Sequence, residues 1–140
     1  MEEQLISFEV SKLAKEKGFN EPCRYVLDIP DNNIMDITDM GFGKDKNSDI
    51  EQYNRVTVPT QSILQKWLRE THNMFVVVTA EFYGDGINHN VQVFTYDPSN
   101  QEDDYYDNSK CTMMYGDDGQ FNTYEQALEF GLEKALKLIN

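Results

Sequence analysis

The sequence predicts an α+β fold: an antiparallel sheet of about four strands, arranged as a meander and packed by three helices. Three observations predict it. Apolar residues recur at helical spacing in three separate stretches, near 7–17, 61–72 and 124–139. Between the second and third, the period switches to two in three successive runs, near 74–83, 89–96 and 110–115. These runs are joined by turn-forming segments and by no helical crossover, so neighbouring strands pair antiparallel. A chain of 140 residues is one domain in length and can bury a core of useful size.

The first helix is set by Ile6, Val10, Leu13, Ala14 and Lys17, which fall on one face. Ser7 is its candidate cap. Gly18 is placed to end it in the left-handed conformation, with Phe19 folding back on the helix. "CRYVLDIP" follows and reads as a short strand stopped by Pro30. Residues 31–54 are polar and rich in Asp, Asn and Gly, with isolated apolar residues. They read as a long loop holding a short helix or strand. "NRVTV" fits a further short strand, broken by Pro59.

In "PTQSILQKWLRETHN", Thr60 is the N-cap and Ile63, Leu64, Trp67 and Leu68 form a narrow apolar face. Asn73 suits a left-handed close. From Met74 the side chains alternate. Met74, Val76, Val78, Ala80 and Phe82 share one face, and Phe75, Val77, Thr79, Glu81 and Tyr83 share the other. Both faces start apolar, which points to a central strand covered on two sides. "GDG" at 84–86 signals a hairpin. The return strand carries Val91, Val93 and Thr95 on one face and ends at Asp97-Pro98, and "KCTMMY" is the third strand. Thr123 with Gln126 forms a capping box. Tyr124, Ala127, Leu128, Gly131, Leu132, Ala135, Leu136 and Ile139 then continue as a helical stripe.

Charge narrows the function. The formal net charge is −13, with 25 acidic and 12 basic side chains. Residues 71–140 hold 12 acids against 3 bases (Lys110, Lys134 and Lys137), a net of −9. Such a field opposes binding to nucleic-acid phosphates. The longest apolar run, Met74–Val78, is far too short to span a bilayer, and the acidic "MEEQLISFEV" does not resemble a secretory signal. The expectation is a cytoplasmic protein with no nucleic-acid or membrane partner, monomeric or homodimeric. Cys23 and Cys111 sit in no CxxC pattern. A zinc site would need His72 and His89 as well, and no spacing joins the four. No cofactor is expected.

"FEVSKLAKEKGF", "PTQSILQKWLRETHN" and "TYEQALEFGLEKALKLI" together resemble a family of small uncharacterised proteins of bacteriophages, prophages and mobile elements of gut bacteria. The three stretches bracket almost the whole chain, and the second is the most specific. The resemblance implies an accessory protein of mobile-element origin and carries no established activity with it.

The chemistry-bearing residues favour binding over catalysis. "RETH" lacks the His pair of a metalloprotease helix, and no GxSxG or nucleophile–base pattern occurs. "GFGKDK" at 41–46 lacks the GxxxxGK[ST] of a phosphate loop. "DPSNQEDDYYDNSK" lacks the glycine and the closing glutamate of an EF-hand loop. Its acids and paired tyrosines suit a recognition surface, because tyrosine gives contact area at low entropy cost. Glu102, Asp103, Asp104, Tyr105, Tyr106 and Asp107 are therefore the candidate binding residues, for a protein partner with a basic surface. No catalytic residue or metal ligand is assigned. The alternative is a small enzyme with a site near His72 or His89.

Overall fold

A computed structural model describes residues 3–41, 43–84, 86–96, 109–115 and 121–140; at 83 and 109–115 only the backbone is described. The chain falls into two compact units, one through Trp67 together with Asn140, the other Leu68–Ile139. The mix is α+β. Its strands form two antiparallel sheets of three rather than one of about four.

In the first unit, α1 (Phe8–Glu16) begins at Ser7, whose side chain accepts from the Val10 amide. It ends in a full Schellman turn. Gly18 takes φ +94°, its N–H donates to the Lys15 carbonyl, and the Phe19 N–H reaches back to Ala14. This turn folds Phe19 into the core, where it is 1% exposed. β1 (Tyr25–Asp28) is the central strand, flanked by β2 (Asn33–Asp36) and β3 (Arg55–Val58). Its inner pair, Val26 and Leu27, is buried on both faces, as a central position demands. α1 lies against β3.

The long 31–54 segment is more ordered than a loop. Asn32, at φ +51°, lets the chain turn straight back into β2. Beyond β2, Ile37 and Ile50 pack with Val26, and Met35 joins them. Two short 3-10 turns, Asn47–Asp49 and Glu51–Tyr53, bring the chain to Asn54 at φ +52° and into β3. The isolated apolar residues of this stretch are thus a small core of their own. α2 (Gln61–His72) starts at Thr60, whose hydroxyl accepts from the Ile63 amide. It is followed by Asn73 at φ +52°, the left-handed close its sequence predicts.

In the second unit, β4 (Met74–Tyr83), β5 (Gly86–Tyr96) and β6 (Ser109–Tyr115) form a meander with β5 in the middle. β4 is therefore an edge strand, contrary to the central position its two apolar faces suggest. α3 (Tyr124–Lys137) covers one face of the sheet, against β4 and β5. Met74, Val76, Val91 and Val93 are buried on that face, whereas Phe75 and Val77, facing the other way, are each 39% exposed. A short apolar run reads alike whether one face or both are covered. Ala127, Leu128, Gly131, Leu132, Ala135 and Leu136 are the buried stripe of α3, while Tyr124, the first residue of that stripe, is exposed. Thr123 caps the helix by accepting from the Gln126 amide.

Gly131 is where α3 touches the sheet most closely. A Cβ there would lie 2.5 Å from Val91 Cγ2 and 2.6 Å from Val76 Cγ1. Both methyls sit on stiff β-branched side chains, so relief requires the helix or strands to shift. Gly131→Ala gains about 1 kcal/mol of helix propensity. The overpacking costs about 1–3 kcal/mol. The expected net result is a loss of about 1 kcal/mol in a urea melt. A variant more stable than the native protein would show a looser helix–sheet contact than described.

Candidate functional site

A chemically mixed concavity lies within the first unit. It is a half-open cavity of about 790 Å³ lined by Cys23, Tyr25, Val58, Pro59, Ile63 and Lys44, among others. Its walls follow from local folding. Cys23 pairs in both directions with Asp45 of the 41–46 segment, N–H to O at 2.8 and 3.1 Å. Leu5 bridges Thr60 at the start of α2, while the Ile6 amide donates to the Pro59 carbonyl. The cavity thus lies among the N-terminal segment, the start of β1 and the β3–α2 junction.

Two cations belong to its lining, but they differ. The Arg24 guanidinium grips Asp36 across the β1–β2 pair, with Nε 3.0 Å from each carboxylate oxygen and Nη2 2.7 Å from Oδ2. Asp36 also accepts from the Thr38 hydroxyl and the Asp39 amide. The Arg24 hydrogen bonds, with those from Thr38 and Asp39, hold the Asp36 carboxyl well below the usual carboxylate range. Arg24 also lies over the Tyr25 ring, 5.4 Å from its centroid. It is thus already neutralised, and Lys44, exposed, is the cation with charge to spare. "GFGKDK" supplies that lysine but no phosphate cradle, in keeping with its incomplete pattern.

The Cys23 thiol is 1% exposed and donates to the Glu21 carbonyl at 3.5 Å. Burial pushes it up to about 11, against the lowering effect of the Thr57 hydroxyl. A thiol so protonated is a core residue and a poor nucleophile. In a Cys111→Ser background the folded protein is expected to leave Ellman's reagent unreacted at pH 8 and to react fully in denaturant. The sign of the linkage follows. The raised thiol contributes stability that is complete below its unfolded value near 9 and is lost as pH rises toward 11. Rapid labelling of the folded protein would place Cys23 in contact with solvent.

His72 and His89 do not form one centre. His72 ends α2, just before Met74, which pairs with Thr95. His89 pairs with Ala80 and exchanges backbone hydrogen bonds with Phe121. Thr95 and His89 are six positions apart along β5, roughly 20 Å along the sheet. The return strand begins at Gly86, so His89 lies inside β5 and is half-buried. Phe121 packs on Phe130, ring centroids 5.1 Å apart, which makes the surroundings of that bridge aromatic. Among the described residues, no three His, Cys, Asp or Glu side chains come together as metal ligands.

Glu102, Asp103, Asp104, Tyr105, Tyr106 and Asp107 lie outside the described residues. Tyr96, the last residue of β5, pairs with Ser109, the first of β6. No protein-family model, curated protein or solved structure matches this chain. The site is therefore read from its own chemistry. The Arg24–Asp36 clamp joins the residue just before β1 to the last residue of β2, 12 positions on, so no local spacing announces it. Lys44 belongs to "GFGKDK", whose sequence pattern indicates no site.

Proposed function

We propose that this chain is a non-enzymatic accessory protein, of the kind found in phages and mobile elements, that binds a protein partner with a basic surface. The observation that carries the reading is the pairing of Tyr96 with Ser109. It means that a sequence with Asp97, Glu102, Asp103, Asp104 and Asp107, and no Lys or Arg, leaves and re-enters the sheet at one place. On this reading, these acids and Tyr105–Tyr106 are the contact residues. The net charge of −13 supports the sign of the partner, since complementary fields speed encounter and exclude nucleic acid.

The test is an affinity capture from host lysate with the tagged protein, repeated with purified partner across a salt series. Binding is expected to weaken with salt, because exposed charges are screened within about 8 Å at physiological ionic strength. Changing Asp103, Asp104 and Asp107 to Asn and both tyrosines to Ala is expected to abolish it. A partner retained by that variant, or a gel shift with short DNA at moderate salt, would overturn the reading.

A further inference from the structure

We propose that the cavity of the first unit binds a small zwitterion with an apolar body, its carboxylate held by Lys44 and its ammonium by Glu3. The cavity lies in a fork of the strands. Tyr25 and Val58 are the last pair of the β1–β3 ladder. Pro59 has no N–H to carry the ladder further, and the strands part there. Cys23 then takes Asp45 as its partner, and Thr60 takes Leu5. Lys44, beside Asp45, belongs to the arm on β1. Glu3, two residues before Leu5, belongs to the arm on the β3–α2 junction. Both residues line the cavity, as do Tyr25, Val58 and Ile63. The fork thus carries a cation on one arm and an anion on the other, with Tyr25 and Val58 where the arms meet.

Charge and size select the occupant. Arg24, the other cation of the lining, is already paired with Asp36 at 2.7 Å. Lys44 makes no ion pair among the described residues. Glu3 accepts one hydrogen bond, from the Ser62 hydroxyl at 3.1 Å, which leaves most acceptor sites of its carboxylate open. A simple anion would suit Lys44 and be opposed by Glu3, and a simple cation would meet the reverse. A molecule carrying both charges satisfies both arms. Its apolar body lies against Tyr25 and Ile63, which are half-buried, and Val58, which is buried. A half-open volume of about 790 Å³ falls within the range of small-molecule sites, roughly 300–1,000 Å³. Free apolar amino acids and short apolar peptides share this chemistry and differ in the distance between their charges.

Leucine and dileucine are the probes, titrated into isotope-labelled protein and read by amide chemical shifts. Binding is expected to move the amides of Cys23, Lys44 and Thr60, and the tighter probe tells the amino acid from the peptide. That probe is then repeated N-acetylated and as its C-terminal amide. Blocking either end is expected to weaken binding about tenfold, the scale of one charge-assisted hydrogen bond. In Lys44→Gln the penalty for the amide is expected to vanish while that for the acetyl group stays, and Glu3→Gln is expected to do the opposite. Both side chains are exposed, so neither change disturbs the core. No shift from either probe at about 10 mM, where even millimolar affinity registers, overturns the proposal. So do shifts confined to residues outside the fork, equal binding of free and blocked forms, or a penalty that survives its own variant. None of these results bears on the acidic segment, so this proposal and the reading of a basic partner fail separately.

Discussion

Trp67→Ala is expected to destabilise the protein by about 3–5 kcal/mol, the range for truncating a buried aromatic residue. Trp67 is 6% exposed and meets Phe19 edge-to-face, with ring centroids 5.3 Å apart and planes at 80°. Phe19 cannot follow into the space left behind. Its backbone is fixed by the turn that ends α1, with its N–H held by the Ala14 carbonyl at 2.9 Å. A rigid neighbour means a residual cavity, and cavity volume is what raises the cost above simple transfer. Urea melts of Trp67→Ala, Phe19→Leu and the double variant would separate the terms. The aromatic pair itself is expected to account for about 0.5–1.5 kcal/mol of coupling. A total loss below about 1 kcal/mol would mean Trp67 lies outside the core and would return α2 to the list of binding surfaces.

What the sequence displays and what it conceals divide along physical lines. α2 is legible to its last residue because each boundary has a local chemical cause, Thr60 at one end and Asn73 at the other. α1 and β4 are legible for the same kind of reason: Ser7 and Gly18 bound the one, and the switch of period at Met74 opens the other. β5 starts three residues before the expected 89, because Gly86, Ile87 and Asn88 are held by pairing with β4, which the side-chain pattern does not reveal. β2 is hidden more deeply. "NIMD" has two apolar residues among Asp and Asn, and only pairing with β1 makes it a strand. The edge position of β4 is likewise a fact of topology, which no run of valines encodes. The cavity and the Arg24–Asp36 clamp depend on residues brought together by β1–β2 pairing, so they too lie beyond local pattern. The acidic segment is the reverse case: it is conspicuous in composition, and the strand ends on either side of it, Tyr96 and Ser109, pair with each other.

Asn47 shows how much a polar residue in an apparent loop can hold, and its replacement is expected to rival the loss of a core side chain. It sits at the head of a single 3-10 turn and is 5% exposed. Its Nδ2 donates to the Phe19 carbonyl at 2.8 Å, and its Oδ1 accepts from the Thr57 amide at 2.9 Å. One side chain therefore satisfies a backbone group after α1 and another inside β3, 28 and 10 residues away in sequence. The neighbouring Ser48 amide donates to Asn20 Oδ1 at 2.8 Å, so the turn is stitched to the same stretch twice. Asn47→Ala leaves a buried carbonyl and a buried amide without partners. Each such group costs about 1–3 kcal/mol, so a loss of about 3 kcal/mol is expected in denaturant melts. Asn47→Asp is the sharper test. The carboxylate keeps the acceptor for Thr57 but loses the donor to Phe19, and it sets a charge where solvent does not reach. Native-state hydrogen exchange should then show the Thr57 amide still protected in the Asp variant and released in the Ala variant. Equal protection of Thr57 in native and Ala proteins would mean that another acceptor takes over, and that Asn47 does not hold the 47–53 turns to β3.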